Sequence, residues 1–96
     1  MKLKRSDVFD KWFRGLRDQR AVSKVADRLS RVEDGNFGDH KSVGDGVSEL
    51  RISYGPGYRI YYTIRGEVVV FLLVGGDKTS QDEDIKRAKA MAREVL

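Results

Sequence analysis

The sequence predicts an α+β domain in which two N-terminal helices pack on a mainly antiparallel sheet of three to five strands, followed by a C-terminal helix. Residues 47–81 contain three strand-like runs with alternating side-chain character or continuous apolar character, separated by glycine-containing turns. Residues 6–34 and 81–95 instead repeat apolar side chains at helical spacing. This order of elements indicates a single domain over residues 1–96.

The N-terminal segment begins with a short candidate edge strand over residues 1–5 and continues as two helices. Ser6 is the expected N-cap of the first helix, and Asp18 is the expected N-cap of the second, which ends near Gly35. The first helix carries a stripe at i, i+3, i+4 and i+7, made of Phe9, Trp12, Phe13 and Leu16. We expect the two helices to form an αα-hairpin on one face of the sheet.

The strands are separated by two predicted reversals. The Gly55-Pro56-Gly57 segment predicts a type II turn, because Pro56 fixes φ and Gly57 tolerates positive φ. Arg65-Gly66-Glu67 predicts the second reversal. The apolar run of residues 68–74 predicts an interior strand covered on both faces, with a sharp turn at residues 75–78.

Two further segments complete the chain. Residues 36–46 are rich in Gly, Asp and Asn and predict a loop, with a short extended piece near residues 41–43. Ser80 and Glu83 have the spacing of a capping box at the start of the last helix.

Composition and charge restrict the function classes. The chain has no cysteine, which excludes disulfides and thiolate metal sites and favours a cytoplasmic protein. No apolar run approaches the ~20 residues that span a bilayer, so we expect no membrane partner. There is no His cluster for zinc and no phosphate loop, so no metal or cofactor is expected. The net charge of +4 resides in residues 1–35, where ten Lys and Arg face six Asp and Glu, and it permits a polyanionic partner.

Basic side chains occur in two groups, the second of which also contains a tyrosine. One row follows the outward face of the second helix, and it is either a solvated surface or a phosphate contact; we call it the basic row: Arg20, Lys24, Arg28 and Arg31. The other group lies on the predicted polar face of the sheet and at its rim: Arg51, Arg59, Tyr61, Arg65 and Lys78. Guanidinium groups hold phosphate oxygens in a fork and stabilise charge during phosphoryl transfer. Alternatively, these arginines form surface ion pairs with Glu49, Glu67 and Asp77.

Two motifs indicate a family. The chain contains GPGYR at residues 55–59, within the run GNFGDHKSVGDGVSELRISYGPGYRIYY, and GGDKTSQ at residues 75–81. With this order and spacing, nearly the whole chain resembles the HigB-like, phage-derived branch of the RelE/ParE toxin superfamily, the addiction module killer proteins. The resemblance implies a RelE/ParE-like fold.

The resemblance also implies an activity and partners. RelE-like toxins cut mRNA in the ribosomal A site without a metal ion, by attack of a ribose 2′-hydroxyl on the adjacent phosphate. A cognate antitoxin, in this branch a helix-turn-helix protein, neutralises them. The implied catalytic residues are Arg59 at the scissile phosphate, Lys78 as a second phosphate ligand or proton donor, and Arg51 in place of a family lysine. The expected RNA and ribosome contacts are Lys41, Arg65, Tyr61, Arg20, Lys24, Arg28 and Arg31.

Two departures from the family pattern leave alternatives open. Glu49 stands where the RelE group often has a basic residue, and the last helix lacks the family tyrosine. Candidates for the general base are Tyr54, Tyr61 and His40. The alternatives to a nuclease are a ParE-type toxin that binds DNA gyrase and an inactive module that binds only its antitoxin.

Overall fold

A computed structural model describes residues 1–95, and Leu96 lies outside the described residues. The elements are β1 (Lys2–Arg5), α1 (Asp7–Arg14), α2 (Gln19–Glu33), β2 (His40–Gly44), β3 (Val47–Ile52), β4 (Tyr58–Arg65), β5 (Val69–Asp77), a 3-10 turn (Lys78–Ser80) and α3 (Gln81–Glu94). The five strands form one sheet in the order β1-β5-β4-β3-β2, with β1 parallel to β5 and all other pairs antiparallel. The predicted α+β class and element order are confirmed, and the architecture is compatible with the RelE/ParE-like fold.

Helices α1 and α2 cover one face of the sheet, as predicted. The Phe9 amide donates to Ser6 Oγ at 2.9 Å, and the Arg20 amide donates to Asp18 Oδ1 at 2.9 Å, so both predicted N-caps are confirmed. The main core lies between these helices and the strands, and its buried members are Phe9, Val25, Leu29, Val32, Leu50, Ile52, Ile60, Tyr62, Val70 and Leu72. Among residues 1–95, no helix combines the length and apolar character needed to cross a membrane.

Helix α3 covers the opposite face, which corrects the expectation of a polar surface there. Arg59, Tyr61 and Thr63 are 9%, 0% and 1% exposed. Ala88 and Ala92 of α3 pack against this face, and their small side chains leave room for the large tyrosine ring beneath the helix. Strand alternation assigned the side chains to the two faces correctly. Because one face contains arginine and threonine, however, it was predicted to be a polar surface, whereas it is a second buried layer under α3.

The turn chemistry also differs from prediction. The hydrogen-bonded turn runs from Tyr54 to Gly57 (amide of Gly57 to carbonyl of Tyr54, 3.1 Å), with Gly55 at φ +56° and Pro56 as its central residues. This hydrogen bond closes one residue earlier than the predicted turn with Pro56 as its first central residue. The positive φ predicted for Gly57 is confirmed at +80°.

Strand β5 does not turn at its glycine pair but continues to Asp77. A Cβ at Gly75 would collide with the Trp12 ring, and one at Gly76 would collide with the Asp84 carboxylate. These glycines therefore let α1 and α3 pack directly on the strand, rather than making a reversal.

The start of α3 differs from the prediction as well. Ser80 is the N-cap residue but makes no capping hydrogen bond with its side chain, so the predicted Ser80–Glu83 box is wrong. A capping box lies three residues earlier, at the start of the 3-10 turn, where Asp77 accepts from the Thr79 amide at 2.8 Å. This box fixes the chain direction immediately after β5, at the residue before Lys78.

Candidate functional site

The two family motifs lie on adjacent strands and meet in register. Tyr58 pairs with Asp77, and Arg59 pairs with Gly76, across the β4–β5 ladder. At the turn before β4, the Lys78 stem crosses Gly57, whose φ of +80° favours glycine, and a Cβ there would lie 3.1 Å from the aliphatic carbons of Lys78 and push them aside. As a result, Lys78 lies at the end of the sheet where β4 begins, next to Arg59.

An open cleft of about 560 Å³ lies at this end of the sheet. We call this space the cleft. The residues that line it are Asp39, Arg51, Ser53, Tyr54, Gly55, Pro56, Gly57, Arg59 and Lys78. The structure thus brings together Arg51, Arg59 and Lys78, which the resemblance named as catalytic. Three cations from β3, β4 and the 3-10 turn give the cleft the character of an anion site.

Arg59 is held in place by a buried carboxylate. Its side chain is 10% exposed, its Nη1 donates to the Tyr58 carbonyl at 3.2 Å, and its Nε lies 3.7 Å from Glu49 Oε2. Neither Nε nor Oε2 has a hydrogen-bond partner within the described residues. The cross-strand ion pair with Glu49, raised from the sequence as a surface alternative, is present but buried, and its charge attraction favours a guanidinium position at the edge of the cleft.

Arg51 shares the cleft with a carboxylate that the sequence analysis missed. Its Nη2 and Nε donate to Asp39 Oδ1 at 2.8 and 3.2 Å. This hydrogen bond with Arg51 holds the pKa of Asp39 below its ordinary value and raises the pKa of Arg51. Asp39 immediately precedes β2 in a segment predicted as a loop, and only its pairing with β3 places it at the site. Across residues 1–95, no cluster of three or more His, Asp or Glu side chains is placed to hold a metal ion.

None of the three general-base candidates is suited to that role. Burial raises the pKa of Tyr61, whose hydroxyl lies beneath α3. The Tyr54 hydroxyl donates to Asp18 Oδ2 at 2.8 Å, and this hydrogen bond raises the pKa of Tyr54. His40 does not line the cleft, and its Nδ1 lies 2.8 Å from the Gly38 carbonyl.

The basic row on α2 divides into structural and surface members. Arg28 donates to the carbonyls of Arg51, Phe37 and Asp39 at 2.6, 2.9 and 3.0 Å, and burial lowers the pKa of its guanidinium. Arg31 pairs with Asp27 at 2.9 Å on the exposed helix surface. Arg20 and Lys24 border a separate groove next to Tyr54. The row is therefore not a uniform surface for RNA, since Arg28 ties α2 to the sheet.

The remaining predicted RNA contacts lie away from the cleft. Tyr61 is buried, so the structure does not place it where RNA reaches it. Arg65 is at the far end of β4, about 20 Å along the strand from Arg59, and its Nη2 donates to the Ala92 carbonyl at 2.8 Å. Lys41 is exposed on edge strand β2, opposite Glu49. Alternation along β4 placed Tyr61 and Arg65 on the same face of the sheet as Arg59. It did not show how far apart these side chains are or that α3 covers Tyr61.

Comparison with known proteins identifies the family. A family model described as "Phage derived protein Gp49-like (DUF891)" matches residues 11–95. The chain belongs to this family. The Gp49-like family is a RelE/ParE-type toxin family, and the matched region contains both motifs and every residue of the cleft. A protein of Haemophilus influenzae, which carries the name "Uncharacterized protein", is 48% identical over 95 residues, covering 99% of this chain and 96% of that protein.

Proposed function

We propose that this Gp49-like protein is the toxin of a type II toxin–antitoxin module of the HigB-like branch and that it cleaves mRNA on the ribosome. One observation carries the proposal: the register of β4 and β5 and the passage of Lys78 over Gly57 bring Arg59, Arg51 and Lys78 to one open cleft. Membership of a RelE/ParE-type toxin family supplies the functional class. Its partners would be the ribosome, mRNA and a cognate helix-turn-helix antitoxin.

The reaction requires charge stabilisation and two proton transfers. The ribose 2′-oxygen forms a bond to phosphorus while the bond to the 5′-oxygen of the next nucleotide breaks, which leaves a 2′,3′-cyclic phosphate and a 5′-hydroxyl. Arg59, oriented by Glu49, would stabilise the negative charge on the phosphoryl oxygens, with Arg51 as a second ligand. Lys78, exposed at the rim, would donate the proton that the leaving 5′-oxygen needs.

Within the cleft, the proton acceptor for the 2′-hydroxyl would be Asp39. It is the one carboxylate among the lining residues and can accept the proton, but the hydrogen bond with Arg51 that lowers its pKa also makes it a weak base. The same carboxylate holds Arg51, so substrate binding would place the base and a phosphate ligand side by side. Most of the rate enhancement would still come from the positioning of the phosphate between fixed cations.

One observation favours a second function. Arg59 and Arg51 already have carboxylate partners, Glu49 and Asp39, within the fold. A cleft whose arginines are already neutralised is compatible with a ParE-type toxin that binds DNA gyrase and has no nuclease activity.

Expression in a bacterium separates the two functions. The 5′ ends of a reporter transcript are mapped by primer extension after induction of the wild type and of Arg59→Lys, with and without translation of that transcript. The nuclease produces new ends inside the translated frame that disappear in Arg59→Lys and when translation is blocked. Growth arrest with DNA damage and no new RNA ends would instead support the gyrase-binding function.

A further inference from the structure

The feature that carries a further inference is Tyr54, which separates the cleft from a second groove. That groove, of about 630 Å³, is lined by Gln19, Arg20, Ser23, Lys24 and Tyr54. Tyr54 also lines the cleft, so it is the residue that the two lining sets have in common. A chain of nucleotides that leaves the cleft on this side passes the Tyr54 ring.

The ring is fixed by contacts from two elements. Its hydroxyl donates to Asp18 Oδ2 at 2.8 Å, while Oδ1 of the same carboxylate accepts from the amides of Arg20 and Ala21 at the start of α2. The Tyr54 carbonyl accepts from the Gly57 amide at 3.1 Å in the β3–β4 turn. A ring held at both its backbone and its hydroxyl loses little conformational entropy when a ligand packs on it.

The surroundings of the ring combine aromatic surface with positive charge. Lys24 Nζ lies over the face of the Tyr54 ring, 5.3 Å from its centroid, in a cation–π contact, and Arg20 borders the same groove. A base that stacks on this face would take the place of the Lys24 ammonium, which would move onto the phosphate. The ring packs in part on the core but remains partly exposed. Sites for single-stranded nucleic acid use this combination, because aromatic rings stack bases of any sequence while nearby cations hold the backbone.

We propose that Tyr54 and this groove form a subsite for one nucleotide of single-stranded RNA, with the base stacked on the ring and its phosphate held by Arg20 and Lys24. The inference rests on the proposed function, since it extends the path of an RNA whose phosphate occupies the cleft. It gives the two members of the basic row that border the groove an mRNA ligand, and it gives Tyr54 a binding role instead of a proton-transfer role.

The test measures binding separately from cleavage. A fluorescein-labelled RNA hexamer with 2′-O-methyl riboses lacks the attacking hydroxyl, so its affinity is measured by fluorescence anisotropy without turnover. Tyr54→Leu should weaken binding by about 5- to 100-fold, the range that one stacked base contributes. Tyr54→Phe keeps the ring and should stay within about threefold of the wild type, which corresponds to less than ~0.7 kcal/mol.

Two controls separate stacking from a structural effect. A hexamer of the same length with abasic riboses offers phosphates but no bases, and its weaker binding should be unaffected by Tyr54→Leu. In Tyr54→Trp, a stacked base should quench indole fluorescence beyond any change that Trp12 shows in the wild type. Thermal unfolding of each variant establishes that it is folded at the temperature of the binding measurement.

The outcomes decide the inference independently of the nuclease activity. Equal affinity of Tyr54→Leu and the wild type, equal losses for Tyr54→Leu and Tyr54→Phe, or no binding of the wild type to the base-containing hexamer would each overturn the subsite. If cleavage occurs in cells together with any of these results, the nuclease activity is supported and the subsite is refuted. The expected binding pattern without new RNA ends in cells would refute the nuclease and retain the subsite.

Discussion

The cleft and the basic row on α2 contain the same residue types in two different physical situations. In the cleft, Arg51, Arg59 and Lys78 come from three elements and surround one open space. In the basic row, Arg28 is occupied by three backbone carbonyls, Arg31 by Asp27, and the other two members border a groove. Charge spacing in a sequence therefore does not distinguish a cation that binds a ligand from one that holds the fold together.

The buried pair in the cleft and the exposed pair in the row differ in what their removal would do. Arg59 and Glu49 have side chains 10% and 4% exposed, whereas those of Arg31 and Asp27 are 56% and 61% exposed. Loss of one partner of a buried pair leaves an uncompensated charge and costs about 3–5 kcal/mol, while an exposed pair contributes about 0–1 kcal/mol. Variants of Arg59 therefore need controls for stability that variants of Arg31 do not.

The largest effect is expected at Arg59. Arg59→Lys keeps the charge opposite Glu49 but loses the guanidinium fork, and it should lower single-turnover cleavage on mRNA-programmed ribosomes by about 100- to 1000-fold. Arg59→Ala alone would leave the buried Glu49 carboxylate unpaired, so a loss of cleavage could come from unfolding. The double variant Arg59→Ala, Glu49→Gln removes both charges and serves as a second test. Cleavage by Arg59→Lys at the wild-type rate would show that the Arg59 guanidinium does not act on the phosphate, and it would contradict the functional difference between the cleft and the basic row.

The second effect separates two arginines on the same helix. Arg28→Ala should lower the free energy of unfolding in urea by about 2–4 kcal/mol, because three carbonyls lose a charged donor that joins α2 to the sheet. Arg31→Ala, three residues away, should change it by less than about 0.5 kcal/mol. Equal destabilisation by the two variants would contradict the structural role assigned to Arg28.

These contrasts show what the sequence predicts and what it does not. Periodicity and capping residues predicted both N-terminal helices and their face of the sheet, since Ser6 and Asp18 act locally. The polar face was predicted wrongly because the depth of Tyr61 depends on where α3 packs, which is a long-range property.

The candidate site divides in the same way. The resemblance selected Arg59 and Lys78 from motif positions, and strand register explains why they meet. Asp39 was missed because its position depends on the pairing of β2 with β3, and the extended piece predicted near residues 41–43 did not indicate which strand it would pair with. The role of Arg28 was missed because its ligands are backbone carbonyls, which no side-chain pattern reports.

A smaller effect tests the two members of the basic row that border the groove. Replacing both Arg20 and Lys24 by Gln should weaken hexamer binding and reduce the slope of log affinity against log salt by about 0.7 for each RNA phosphate that is no longer neutralised. Lys86→Gln is the matched control, because Lys86 is 77% exposed on α3 and far in sequence from the groove. A slope unchanged by the double replacement would show that these two cations bind no RNA phosphate.

The smallest effect is a pH dependence from Asp39. Arg51 lowers the pKa of the folded Asp39, so the carboxylate stabilises the fold fully above the unfolded value of about 3.9 and loses this contribution as pH falls through the lower folded pKa. The difference in urea midpoint between the wild type and Asp39→Asn should therefore be constant above about pH 5 and shrink below about pH 4. A difference that does not change between pH 7 and pH 2.5 would contradict the Asp39–Arg51 pairing.

The central claim is that the cleft promotes attack of a ribose 2′-hydroxyl on the adjacent phosphate, and the ends of the RNA fragments test it most directly. An mRNA in the ribosomal A site is cut by the purified toxin, and the fragments are compared with those from an mRNA that carries a 2′-O-methyl ribose at the cut nucleotide. We predict a 2′,3′-cyclic phosphate on the upstream fragment, a 5′-hydroxyl on the downstream fragment, and no cut in the methylated mRNA. A 5′-phosphate on the downstream fragment, or cleavage of the methylated mRNA at the same position, would contradict this mechanism.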